Sequence, residues 1–217
     1  MIEADVSMIN RILLCLSLML LPWPAATAAG EHPCIILVLG DSLSAAYGMS
    51  MDEGWVSLLN TQLKQEKYRC KVINASVSGD TTQGGRARLP SLLKKHQPSH
   101  LIIELGANNG LRALPAELME QDLKWIIQSA RAAGSRVLLL GMQMPPNYGP
   151  QYRARFSNVY RNIAEAEGVS FVPFFLEGVI TRSEWMQADA LHPNALGQPA
   201  LLENVWSELI LMLPKKL

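Results

Sequence analysis

The sequence predicts a three-layer α/β/α sandwich built on a five-stranded parallel sheet. Apolar runs of strand length recur at residues 35–39, 70–74, 101–105, 137–142 and 169–172. Helix-length stretches at 55–64, 82–96, 115–133 and 152–167 alternate with them, and a last one at 195–213 closes the chain. The runs are continuously apolar rather than alternating, which marks strands covered on both faces. Helices can cover both faces only if each strand crosses over to a parallel neighbour, so five such alternations read as one α/β domain. No Pro/Ser-rich linker divides the chain.

The elements follow in order. Arg11 precedes the apolar run 12–21, Pro22-Trp23-Pro24 ends it, and small residues follow from Ala25 to Gly30. This is the order of a secretory signal peptide with Ala26-Thr27-Ala28 as cleavage motif, so residues 1–28 are expected to be a signal and 29–217 a single domain. The run is about half of the ~20 apolar residues a spanning helix needs. An uncleaved anchor is the alternative, and Glu3 and Asp5 ahead of Arg11 leave Met8 as an alternative start. The expected location is periplasmic or secreted, with no stable membrane span after signal removal. Cys34 and Cys70 then remain, each at the upstream end of an apolar run. An even pair in an exported protein suggests a disulfide, with two free buried thiols as the alternative. Sulfurs that begin neighbouring parallel strands start level. In the stretch 115–133, Leu118, Leu123, Ile126, Ile127 and Ala130 follow the spacing of a helix with one buried face.

Composition narrows the function. With 49% apolar and 18% charged residues the chain is not disordered, and nineteen basic residues balance nineteen acidic ones. No global basic field exists to hold nucleic acid, and none is expected as a partner. Sequence patterns for metal or nucleotide binding are missing, and no cofactor or metal is implied.

In parallel α/β sheets, ligands bind beyond the carboxyl ends of the strands. The segments there are rich in small and polar residues: 40–44, 74–80, 106–110, 143–149 and the stretch reaching 189–193. Ser42 stands two residues past the first strand, where its Oγ can be exposed at the sheet edge. His192 lies three residues after Asp189, close enough for the carboxylate to hold Nδ1 and leave Nε2 to face Ser42. A capping serine and a surface histidine would be the ordinary reading of each alone. His32, His96 and His100 read as solvated. The N–H groups of Ser42 and Gly79 and the side-chain amide of Asn108 follow three different strands and can converge on one point, as an oxyanion hole requires. Glu104, inside an apolar strand, reads as a structural hydrogen-bonding residue, and Asp41 and Asp80 as braces for the site loops.

The blocks Gly40-Asp41-Ser42, Gly79, Gly106-x-Asn108 and Asp189-x-x-His192 resemble the four signature blocks of the SGNH (GDSL-type) hydrolases. The resemblance runs from about Ile35 to Leu209. Longer strings at 39–45, 74–81, 89–94, 146–149 and 185–187 bring it closer to the esterase, thioesterase and lysophospholipase members. It implies the flavodoxin-like SGNH-hydrolase fold. It implies Ser42 as nucleophile, His192 as general base and acid, and Asp189 as its orienter, with Ser42, Gly79 and Asn108 as the oxyanion hole. The acyl groove would include Gly110, Leu111, Met142, Gln143 and Pro145. The expected function is an exported monomeric serine hydrolase of small-molecule acyl esters and thioesters. An aryl- or carbohydrate acetylesterase and a non-catalytic lipid-binding protein are the alternatives. Two departures stand out. Asn109 occupies a position where the family usually has Asp, predicting a loop held less rigidly. Gln143 stands where close members carry a positive charge, and Met142 and Met144 beside it favour a pliable apolar groove.

Overall fold

The computed structural model describes residues 33–214. Residues 1–28, expected to be a signal, and His32 lie outside the described residues. The five strands are β1 (Cys34–Gly40), β2 (Cys70–Asn74), β3 (His100–Glu104), β4 (Arg136–Leu140) and β5 (Ser170–Val172). They form one sheet in the order β2-β1-β3-β4-β5, with every neighbouring pair parallel. The helices are α1 (Trp55–Gln65), α2 (Thr82–His96), α3 (Ala107–Leu111), α4 (Ala116–Ala132), α5 (Pro150–Glu167) and α6 (Gln198–Leu209). Helices α2, α4 and α5 pack side by side on one face, and α1 packs with α6 on the other. No described helix is long and apolar enough to cross a membrane.

Burial follows strand position. Ile36 to Leu39, Leu101 to Ile103 and Leu138 to Leu140 have no exposed surface, so β1, β3 and β4 are covered on both faces. Edge strand β2 is only partly buried, and its continuous apolar pattern stops at Val72-Ile73. Cys34 and Cys70 are register partners and are joined by a disulfide, with Cα atoms 4.5 Å apart. Two level strand starts place the sulfurs within the separation a bridge needs.

Three expectations are corrected here, and one short helix was not anticipated. Leu118 is 54% exposed; Met119 takes the buried place one residue on, because the apolar stripe of α4 runs through Met119, Leu123, Ile126, Ile127 and Ala130. His100 is buried, with Nε2 bonded to the Met212 carbonyl and Nδ1 to Ser99 Oγ, and burial lowers its pKa. The closing helix is shorter than 195–213: it starts after Gly197 and gives way to turns after Leu209. The short helix α3 has no apolar period to announce it.

The strand order reverses direction between β1 and β3, and a crevice opens there at the carboxyl ends. The loops after β1, β2 and β3 meet at that crevice.

Candidate active site

Ser42 lies in the turn that leaves β1. Its Oγ is 2.9 Å from His192 Nε2. His192 Nδ1 is 2.7 Å from Asp189 Oδ2, and the backbone N–H groups of Leu191 and His192 donate to Asp189 Oδ1 at 2.9 and 3.0 Å. Ala190 takes a left-handed conformation, φ 54°, so that the chain can fold back over the carboxylate. Desolvation works against ionisation of Asp189, but the two backbone donors and the imidazole outweigh it and hold its pKa at about 2. With Asp189 ionised, Nδ1 carries the proton and Nε2 presents a lone pair to the hydroxyl. The Gln187 amide donates to the Tyr47 and Pro193 carbonyls, tying the serine loop to the histidine loop. The Tyr47 ring lies against the imidazole, centroids 4.7 Å apart.

Beneath Ser42 is a buried acid pair. Glu104 Oε2 accepts from the Asp41 backbone N–H at 3.2 Å and from Ser44 Oγ at 2.8 Å, while Oε1 has no partner. Burial, then the adjacent Asp41, pushes the Glu104 carboxyl well above the usual range, and burial pushes Asp41 up to about 6. Of the two, Glu104 is the more deeply buried and is held the further above its ordinary value. Ionised Asp41 accepts from the Leu43 N–H at 3.1 Å and from Asn108 Nδ2 at 3.0 Å. Glu104 is thus structural and Asp41 a brace, as their sequence settings suggest. Asp80 is gripped by Arg88, whose guanidinium also reaches the Ala75 carbonyl.

Asn108 stands at the start of α3, after Gly106. That glycine has φ 117°, and a Cβ there would run into the Tyr160 hydroxyl. Gly79, with φ 79°, has its carbonyl held by Arg112 Nη2 at 2.8 Å. Asn109 is buried and bonded at both ends of its amide: Oδ1 accepts from the Thr82 N–H at 2.9 Å, and Nδ2 donates to Thr82 Oγ1 at 3.0 Å. The loop is therefore firmly held, contrary to the expectation drawn from the missing Asp.

These groups open on a cavity of about 250 Å³. Ser42, Gly79, Asn108 and His192 line it, together with Leu111, Met142, Gln143 and Pro145 of the expected groove. Gly110 does not. It lies behind the wall, packed where a Cβ would overlap Met144 and Phe156. Tyr47, Leu176, Ile180 and Leu191 also line it and were not singled out in the sequence. Leu191 precedes His192, and Leu176 and Ile180 are four residues apart, but neither spacing distinguishes lining from core.

The wall is braced from α5 and the turn just before it. Tyr148 and Tyr152 stack at 5.8 Å, Tyr152 and Phe156 at 6.3 Å, and Phe156 meets Tyr160 edge-on at 5.6 Å. Three hydroxyls of this ladder donate to the loop carrying Asn108: Tyr160 to the Leu105 carbonyl, Tyr152 to Gly110 and Tyr148 to Leu111.

A parallel sandwich with these four blocks gathered at the β1/β3 crevice defines a class, and residues 38–200 match the model of the GDSL-like Lipase/Acylhydrolase family. The chain belongs to that family. It is 50% identical over 195 residues to esterase TesA of Pseudomonas aeruginosa, covering 90% of this chain and 94% of the relative. It is 44% identical over 190 residues to thioesterase 1/protease 1/lysophospholipase L1 of Escherichia coli K12, covering 87% and 86%. A crystal structure of TesA superposes with a TM-score of 0.81 at 51% identity, covering 82% of this chain and 99% of that one.

Proposed function

We propose that this SGNH-family ester hydrolase works through Ser42, His192 and Asp189 on fatty-acyl esters, acyl thioesters and lysophospholipids. The observation that carries the reading is the pair of contacts at 2.9 and 2.7 Å that links hydroxyl, imidazole and carboxylate at the mouth of an apolar cavity. His192 Nε2 takes the Ser42 proton as Oγ attacks the acyl carbonyl. The Ser42 and Gly79 N–H groups and the Asn108 amide receive the charge that develops on oxygen. His192 then passes its proton to the departing alcohol or thiol, and water repeats the steps on the acyl-enzyme. Asp189 stays ionised throughout and stabilises the imidazolium.

The occupant is an acyl chain because Leu111, Met142, Met144, Pro145, Leu176 and Ile180 line the cavity and give it an apolar wall. The Cys34–Cys70 bridge, with the signal-like order of residues 11–30, supports export to an oxidising compartment such as the periplasm. Tyr47 beside the imidazole favours aryl esters as a second substrate class, since the leaving group departs on that side.

Turnover of p-nitrophenyl esters from acetyl to palmitoyl tests the substrate reading. Rates should rise beyond acetyl, and a sharp preference for acetyl would sink it. Ser42→Ala should abolish turnover and keep fatty-acid binding; an active Ser42→Ala protein would refute the nucleophile.

A further inference from the structure

We infer that Asp122 is a positioning residue for the oxyanion hole, acting through Thr82 and Asn109; the inference rests on the role proposed above for Asn108. Asp122 lies on α4 and is nearly buried. Its Oδ2 accepts the Thr82 hydroxyl proton at 3.1 Å, and its Oδ1 accepts from Arg86 Nη1 at 3.0 Å. Thr82 begins α2, three residues after Gly79, and Asn109 follows Asn108. The Thr82–Asn109 contacts therefore join the two loops that carry Gly79 and Asn108.

The polarity of this relay is fixed at both ends. Arg86 is a cation that only donates, so Asp122 must accept from it. Asp122 accepts again from Thr82, which commits the only hydroxyl proton. Thr82 Oγ1 is then left with lone pairs towards residue 109, and a buried carboxylate there would face lone pairs across 3.0 Å. An amide fits, because its NH₂ donates to Oγ1 while its oxygen takes the Thr82 N–H. Asp122 thus accounts for Asn109, the one departure from the family pattern beside the oxyanion donor.

Exchanging the pair should reverse the relay without losing a bond. In Asn109→Asp/Asp122→Asn, the amide at 122 accepts from Arg86 and donates to Thr82 Oγ1, whose proton turns to the carboxylate at 109. Each single change leaves a mismatch. Asn109→Asp sets two carboxylates on one hydroxyl proton. In Asp122→Asn, either the amide oxygen stays with Thr82 and the NH₂ group meets the Arg86 guanidinium, or the oxygen turns to Arg86 and a second NH₂ group points at Thr82 Oγ1, whose proton loses its acceptor.

Steady-state kinetics on acetyl and octanoyl p-nitrophenyl esters, with thermal melts of each protein, test this. Each single variant should lose roughly tenfold or more in kcat at nearly constant KM, and to the same extent for both esters, since a displaced oxyanion donor is shared by all acyl groups. The double variant should recover most of the loss. Thr82→Val, near-isosteric but without the hydroxyl, should show the same kcat loss. Wild-type kcat in Asp122→Asn, or a double variant as slow as the product of its singles while folded, would overturn the relay. Asn108→Ala run alongside separates the two readings. If it is impaired and the exchange fails, only the relay is wrong; if it is unimpaired, the oxyanion assignment falls as well.

Discussion

Replacing Asp41 with Asn should disable the oxyanion hole by turning the Asn108 amide. Ionised Asp41 offers only acceptors, and it uses them on the Leu43 N–H and on Asn108 Nδ2. That second bond fixes which way round the Asn108 amide sits, leaving its other N–H free for the cavity. An amide at 41 has one acceptor atom and one NH₂ group, which only donates. With its oxygen kept on Leu43, its NH₂ meets the Asn108 NH₂, and the conflict is relieved when Asn108 turns its carbonyl oxygen into the hole. One donor is lost, worth about 10²–10³ in kcat, or ~2.7–4 kcal/mol of barrier. The assay is kcat and KM on p-nitrophenyl butyrate for Asp41→Asn, Asn108→Ala and the pair. Because both changes remove the same donor, the double variant should be about as slow as the slower single. Wild-type kcat in Asp41→Asn, or a double loss equal to the product of the singles, would refute the reasoning.

Three further outcomes are expected. Gly110→Ala should push Met144 into the cavity, because the new Cβ overlaps that flexible side chain and the Phe156 ring; kcat/KM should fall more for palmitoyl than for acetyl esters, and an equal fall would refute this. Reducing Cys34–Cys70 should cost roughly 4 kcal/mol of stability from a loop of 36 residues, read by urea denaturation. Activity at 25 °C should persist, because the bridge sits at the opposite ends of the strands from the site. Asp41 titrates near 6 in the fold and near 3.8 without it, so its protonated form stabilises the fold. That contribution is full below about pH 4 and lost as pH rises through 6. The stability difference between wild type and Asp41→Asn should shift in that window, and a flat difference would show the carboxyl to be unperturbed.

Much of this was legible in the sequence because the relevant signals are local. The apolar runs placed all five strands, and Asp189 and His192 lie within one bend. Cys34 and Cys70 begin their strands, so level starts followed from a parallel sheet. The misreadings are of contacts between distant segments. His100 looked solvated in a polar turn, but its partner Met212 lies 112 residues away. Gly110 belonged to the right loop on the wrong side of the wall, since side-chain direction in an unannounced helical turn cannot be counted from a strand end. Asn109 appeared as a loosened position because Thr82 and Asp122, which make it tight, stand 27 and 13 residues off.

The cystine also changes the topology of the polypeptide. Residues 34–70 form a closed loop in which the whole serine turn and α1 are enclosed, while Asp189 and His192 remain on the open tail. A protease that nicks the exposed stretch around Met51 would leave a single covalent molecule, with the two severed arms still hydrogen-bonded into adjacent strands. Such a nick would go unnoticed on a denaturing gel until thiol was added.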